Sequence, residues 1–149
     1  MKKAKKTENN SMRLEIEAKS CNESFARTVV AAFAAQLDPT IEEINDLKTA
    51  VSEAVTNCIV HAYDKADKGK IVIECDLLND AEHRGVAVTV TDFGIGIPNI
   101  EKALEPFYTT KPDQERSGMG FTVMQSFMTS MHVTSKIGQT SIEMTKNFG

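Results

Sequence analysis

From Asp92 to Gly120 the chain is rich in glycine, proline, threonine and charge and keeps neither a period of two nor one of 3.6. A stretch of that length cannot be buried in a small domain without elements of its own. It reads as a long surface loop with a functional task, mounted on a scaffold supplied by the rest of the chain. The loop leaves a strand pattern in which Val86, Val88 and Val90 alternate, and Asp92 falls on the same apolar face. It ends at a helical pattern running from Phe121 to Met128.

With 149 residues the chain can bury one core but not two ordinary ones. The expected organisation is a basic tail over residues 1–11 and a single domain over 12–149. Met12, Leu14, Ile16 and Ala18 alternate as a strand. Asn22 is placed to cap a helix from Glu23 to about Leu37, with Phe25, Val29, Ala32, Phe33 and Gln36 turned inward. Asp38-Pro39 ends that helix, and Thr40 with Glu43 three residues on is a capping box opening a helix to about Ala62. Ile71, Ile73, Cys75 and Leu77 form one strand face, joined through Asn79 to Gly85 to the valine strand. Val133–Ile137 and Thr140–Met144 close the chain as a hairpin around Gly138. This order predicts an α+β fold, a two-layer sandwich with a mixed sheet covered on one face by helices.

No apolar run approaches the roughly 18 residues of a membrane span, and no apolar stretch follows the lysine-rich start, so neither a membrane span nor a secretory leader is expected. Three cysteines without a CxxC spacing argue for reduced thiols and against a zinc site, which points to the cytoplasm. Lys2, Lys3, Lys5 and Lys6 against Glu8 give the first eleven residues a net +3, leaving −7 on the remainder of a chain of net charge −4. A surface of that sign does not favour nucleic acid.

Three clusters carry possible chemistry. On the second helix the apolar stripe Ile44, Leu47, Val51, Ala54, Val55, Cys58 and Ala62 leaves Glu53, Asn57 and His61 stacked on a separate flank at i, i+4 and i+8. That flank reads either as an ordinary solvated face or as a site where Glu53 takes a proton and Asn57 offers an oxygen to Mg²⁺. Asp92 either starts a turn or presents a buried carboxylate to a ligand donor such as a purine amine. Gly94 and Gly96 after it allow close backbone approach. Ser117, Gly118 and Gly120 lead directly into a helix, where free backbone N–H groups favour an anion, and Thr109, Thr110, Lys111 and Arg116 add hydroxyl and cationic groups. This is not a Walker A loop, since Lys111 precedes the glycines; Asp92-Phe93-Gly94 matches the kinase DFG triplet in letters alone, without an HRD loop.

In chain order, Ser52-Glu53-Ala54-Val55-Thr56-Asn57-Cys58-Ile59-Val60-His61-Ala62-Tyr63 resembles the N box of the GHKL ATPases. Asp92-Phe93-Gly94-Ile95-Gly96-Ile97 resembles their first glycine box and Arg116-Ser117-Gly118-Met119-Gly120-Phe121 their second. The resemblance spans about Met12 to Lys146 and implies the Bergerat fold, with ATP or ADP and Mg²⁺ held beneath a lid. The stretches Asn22–Arg27, Gln36–Thr40, Thr109–Pro112 and Glu115–Phe121 are similar to those of the sporulation anti-sigma factor kinases within that superfamily. That likeness implies a homodimer that binds a sporulation sigma factor when ATP is bound and phosphorylates a serine of an anti-anti-sigma protein. It assigns Glu53 as catalytic base, Asn57 as Mg²⁺ ligand, Asp92 as adenine reader, Arg116 as the γ-phosphate contact and Arg27 as a partner contact. One departure is visible: His61-Ala62-Tyr63 stands where those kinases usually have His-Gly-Tyr.

A sensor histidine kinase module shares all three boxes but is expected to carry a histidine-bearing domain upstream, where only about a dozen residues precede the first strand; the alternative function is such a module acting on a separately encoded substrate domain. Topoisomerase and chaperone relatives need more length. A module that binds ATP without turnover would not require Glu53.

Overall fold

A computed structural model describes residues 10–62, 69–94 and 120–149. In chain order these residues form strand β1 (Ser11–Glu17), helix α1 (Cys21–Ala34) with a 3-10 turn (Ala35–Leu37), and helix α2 (Ile41–Asn57), which continues as a π-helical turn (Cys58–Ala62). Strands β2 (Lys70–Asn79) and β3 (Arg84–Asp92), helix α3 (Gly120–Phe127), and strands β4 (Ser130–Lys136) and β5 (Gln139–Asn147) follow. The strands make one five-stranded sheet ordered β1-β2-β3-β5-β4. β1 begins at Ser11, inside the stretch expected as tail.

Alternation decides which sheet face is covered. Ile71, Ile73, Cys75 and Leu77 on β2, Val86, Val88 and Val90 on β3, and Ile142 and Met144 on β5 are buried beneath the helices. The other face carries Arg13, Glu15, Glu74, Thr89 and Glu143, polar groups that need no cover. This is the expected two-layer α+β arrangement. The sheet, expected to be mixed, is antiparallel in every pairing. The reason is topological: β5 reaches the side of β3 through a hairpin with β4, and that return sets its direction opposite to β3.

α2 is the central helix and packs against both α1 and α3. Its buried residues Leu47, Ala50, Val51, Ala54 and Val55 follow the 3.6-residue spacing, with Cys58 continuing the stripe. The capping box is formed: Thr40 Oγ1 accepts from the Glu43 N–H at 3.1 Å, and Glu43 Oε1 accepts from the Thr40 N–H at 2.8 Å. Glu43 Oε2 also accepts from the Gly149 N–H at 2.8 Å. The backbone bonds from Gly149 and Thr40 hold its carboxyl below the usual value. That contribution to stability is present above the unfolded-state value and is lost as the pH falls through the lowered one. Thr40→Ala is expected to cost about 1 kcal/mol in denaturant unfolding.

α1 differs from its expected face. Ala26, Val30 and Ala34 are buried, Phe25 is exposed, and Asn22 bonds the Glu17 carbonyl through Nδ2 instead of capping the helix. Small side chains let α1 lie close on α2, and the larger Phe25 is left outside. Lys146 joins the layers from β5, its Nζ donating to Asp46 Oδ2 at 3.2 Å and to the Phe127 carbonyl at 2.7 Å at the end of α3.

Gly85 answers a close backbone approach: a Cβ there would lie 2.4 Å from the Lys146 carbonyl oxygen of β5. Gly85→Ala must push β3 and β5 apart and is expected to lower stability by about 1–3 kcal/mol, measured by thermal or denaturant unfolding.

Candidate nucleotide site

Asp92 closes β3, the middle strand, facing Ile71 at the start of β2 and Thr140 at the start of β5. Alternation carries its carboxylate to the helix-covered side, where it is 3% exposed. A backbone donor meets it there: the Gly94 N–H donates to Oδ1 at 3.1 Å, and Cys58 lies close by in the π turn that extends α2. Burial pushes the carboxyl above its ordinary value, and the Gly94 N–H and the neighbouring thiol oppose that rise. The carboxylate is on the buried side, as strand alternation predicts, and its bond to the Gly94 N–H two residues on is the one a turn-starting aspartate makes, so both sequence readings of Asp92 meet at this position.

Cys58 lies near Asp92, so α2 ends beside the end of β3. Asn57, the last α-helical residue, immediately precedes the thiol, and Glu53 lies one turn earlier; both are half-buried. The helix-flank pair and the strand-end carboxylate therefore belong to one end of the sandwich. Gly94 is half-buried just beyond β3, and Gly120 is buried at the first position of α3. The first turn of a helix leaves N–H groups outside its own ladder, and such groups suit an anion. Gly96, Thr109, Thr110, Lys111, Arg116, Ser117 and Gly118 lie outside the described residues. His61 falls in the π turn.

Arg27 projects from the middle of α1, its side chain 40% exposed and 3.6 Å from Glu23 one turn earlier. Glu23 also accepts a short hydrogen bond from the Ser52 hydroxyl on α2, beside Glu53. The guanidinium remains available at the surface.

Sequence reasoning missed Thr140. It is buried, stands opposite Asp92 across the β3–β5 ladder, and its hydroxyl lies 2.7 Å from that of Ser135. Strand alternation within β5 puts Thr140 on the core face with Ile142 and Met144, and that break in an apolar face was the available signal. The cysteines are free as expected, Cys21 exposed and Cys58 and Cys75 buried, and burial pushes the Cys75 thiol up to about 12. No helix among the described residues is long and apolar enough to cross a membrane.

The sequence pattern of the Histidine kinase-like ATPase domain matches residues 16–146. The chain is 54% identical to an anti-sigma F factor of Clostridium beijerinckii over 93% of its own length and 95% of the relative's. It is 57% identical to that of Clostridium acetobutylicum, over 93% and 94%, and 56% identical to that of Caldanaerobacter subterraneus subsp. tengcongensis, over 95% and 96%. Among solved structures it is similar to the RsbU and RsbW domains of Rv1364c from Mycobacterium tuberculosis, with a TM-score of 0.66 over 93% of this chain and 32% of that one. At 17% identity that match speaks to the fold alone.

Proposed function

The chain belongs to the family of the anti-sigma F factors, built on a histidine kinase-like ATPase domain, and from that premise we propose that it is an ATP-dependent serine kinase of sporulation. In this reading it holds a sporulation sigma factor in its ATP-bound state and inactivates an anti-anti-sigma protein by phosphorylating one of its serines. The observation that carries the nucleotide site is the buried Asp92 carboxylate at the end of β3, bonded by the Gly94 N–H and lying near Cys58 at the end of the helix that bears Glu53 and Asn57.

The residues present fit Mg-ATP. Asp92 accepts from the exocyclic amine of adenine, a donor that offsets the cost of keeping an ionised carboxylate among valines. Asn57 offers its amide oxygen to Mg²⁺, a hard ion that prefers oxygen ligands. Gly94, Gly96, Gly118 and Gly120 let backbone N–H groups approach the phosphates; Thr109, Thr110 and Ser117 add hydroxyl donors, and Arg116 adds charge at the γ-phosphate. When bound, Mg-ATP supplies the phosphoryl group and part of the charge neutralisation that its transfer requires. Glu53 accepts the proton of the attacking serine hydroxyl. Arg27 contacts the protein partners, and the working unit is a homodimer.

The partner half of this reading is tested by gel filtration of the chain with a sporulation sigma factor in the presence and absence of Mg-ATP. Co-elution that requires ATP is expected. Equal co-elution without nucleotide would reject the ATP dependence, and none in either condition would reject the anti-sigma role.

A further inference from the structure

We infer that Lys146 is a positioning residue for the phosphate end of the nucleotide site: it keeps α3 helical by holding the end that lies away from the ligand. The inference rests on the reading that the first turn of α3 receives phosphate oxygens. Strand alternation puts Lys146 on the helix-covered face of β5 with Thr140, Ile142 and Met144, and its side chain is 14% exposed. A cation in that place needs partners. Its Nζ donates to the Phe127 carbonyl at 2.7 Å, where α3 ends, and to Asp46 Oδ2 on α2 at 3.2 Å. Lys146 stands opposite Val86, whereas Thr140 stands opposite Asp92. Six residues of strand, roughly 20 Å, therefore separate Lys146 from the Asp92 end of the sheet. It acts at the end of α3 away from Gly120.

The sequence of α3 explains the need for such a tie. Gly120 to Phe127 makes about two turns, opens with a residue that disfavours helix, and carries no charged side chain. Helices of that length are marginal on their own, and the negative end of this one has no cation within its own sequence. Lys146 supplies one from β5, bonding one of the last carbonyls and meeting the negative end of the helix dipole. Asp46 holds the cation in place and ties it to α2, the helix that bears Glu53 and Asn57.

Helix formation is cooperative, so a tie at the last turn is felt at the first. Without it a smaller fraction of the molecules has the first turn in place, and a ligand that needs that turn binds more weakly by that fraction. A triphosphate needs the turn. Adenosine, held at Asp92, does not. Loss of Lys146 should therefore weaken Mg-ATP selectively.

The experiment measures Mg-ATP and adenosine affinities by calorimetry for the wild type, Lys146→Met, Lys146→Arg and the double variant Asp46→Asn/Lys146→Met, with a melting curve for each. Lys146→Met is expected to bind Mg-ATP about five- to tenfold more weakly, with adenosine unchanged. Lys146→Arg, which keeps the cation and the donor, restores most of the difference. The double variant strands no carboxylate; it should match Lys146→Met and carries the test if that variant does not fold. A wild-type ratio of the two affinities in both Lys146→Met and the double variant, or an equal loss of both ligands, would overturn the positioning role. If the wild type prefers Mg-ATP while the ratio persists in the variants, the Lys146 role alone falls. If the wild type binds Mg-ATP no better than adenosine, the phosphate reading of α3 falls and this inference with it.

Discussion

Asp92→Asn weakens ATP binding by about a hundredfold, while the nucleotide-free protein melts no lower than the wild type. The two halves of this expectation have one cause. Asp92 is buried and its carboxyl is raised above the ordinary value of 3.8 by desolvation. A carboxylate raised on folding favours the fold below its unfolded-state pKa and loses that contribution as the pH climbs through the raised value. At neutral pH its charge is therefore a burden on the empty protein, and the neutral amide relieves it. For the ligand the balance reverses. An amide keeps one acceptor oxygen, and its NH₂ group turns a donor toward the Gly94 N–H, the Cys58 thiol or the adenine amine. Calorimetry for ATP and a melting curve for the empty protein read the two halves separately. A variant that melts well below the wild type and binds more weakly as a result would make Asp92 a folding residue.

Glu53→Gln should lower phosphate transfer to the anti-anti-sigma protein by about 10²–10⁴-fold, with ATP affinity within a fewfold of wild type. The side chain is half-buried on the flank of α2, and glutamine keeps its length and reach while removing the basic oxygen. Adenine binding is assigned to Asp92 and Mg²⁺ to Asn57, so a loss confined to the transfer rate is the signature of a base. Single-turnover kinetics beside a nucleotide titration separate the two quantities. Transfer at the wild-type rate would remove Glu53 from the chemistry.

What the sequence made legible is what period and local chemistry encode. Thr40 and Glu43 bond each other as a capping box because both partners lie within one turn. The stripe from Leu47 to Cys58 is buried, and the valine alternation that ends in Asp92 puts its carboxylate on the core side. The misses are contacts made across the fold. Thr140 gains its place beside Asp92 from the β3–β5 register, which depends on residues 48 positions apart pairing. α1 turns Ala26, Val30 and Ala34 inward because close packing against α2 favours small side chains, whereas hydrophobicity pointed to Phe25. The change from α to π winding at Cys58 has no signature in local propensity, yet it is where α2 meets Asp92. The antiparallel sheet likewise follows from how the last hairpin returns.

The proposed function requires the site to deliver a phosphoryl group to a serine of an anti-anti-sigma protein. Its most direct test is to incubate the full chain with Mg-ATP and such a protein and locate the added phosphate by mass spectrometry. Phosphoserine on the anti-anti-sigma protein, lost in Asp92→Asn and Glu53→Gln, is the expected result. Phosphohistidine, or no phosphate on the partner while the chain demonstrably binds ATP, would contradict the serine kinase account.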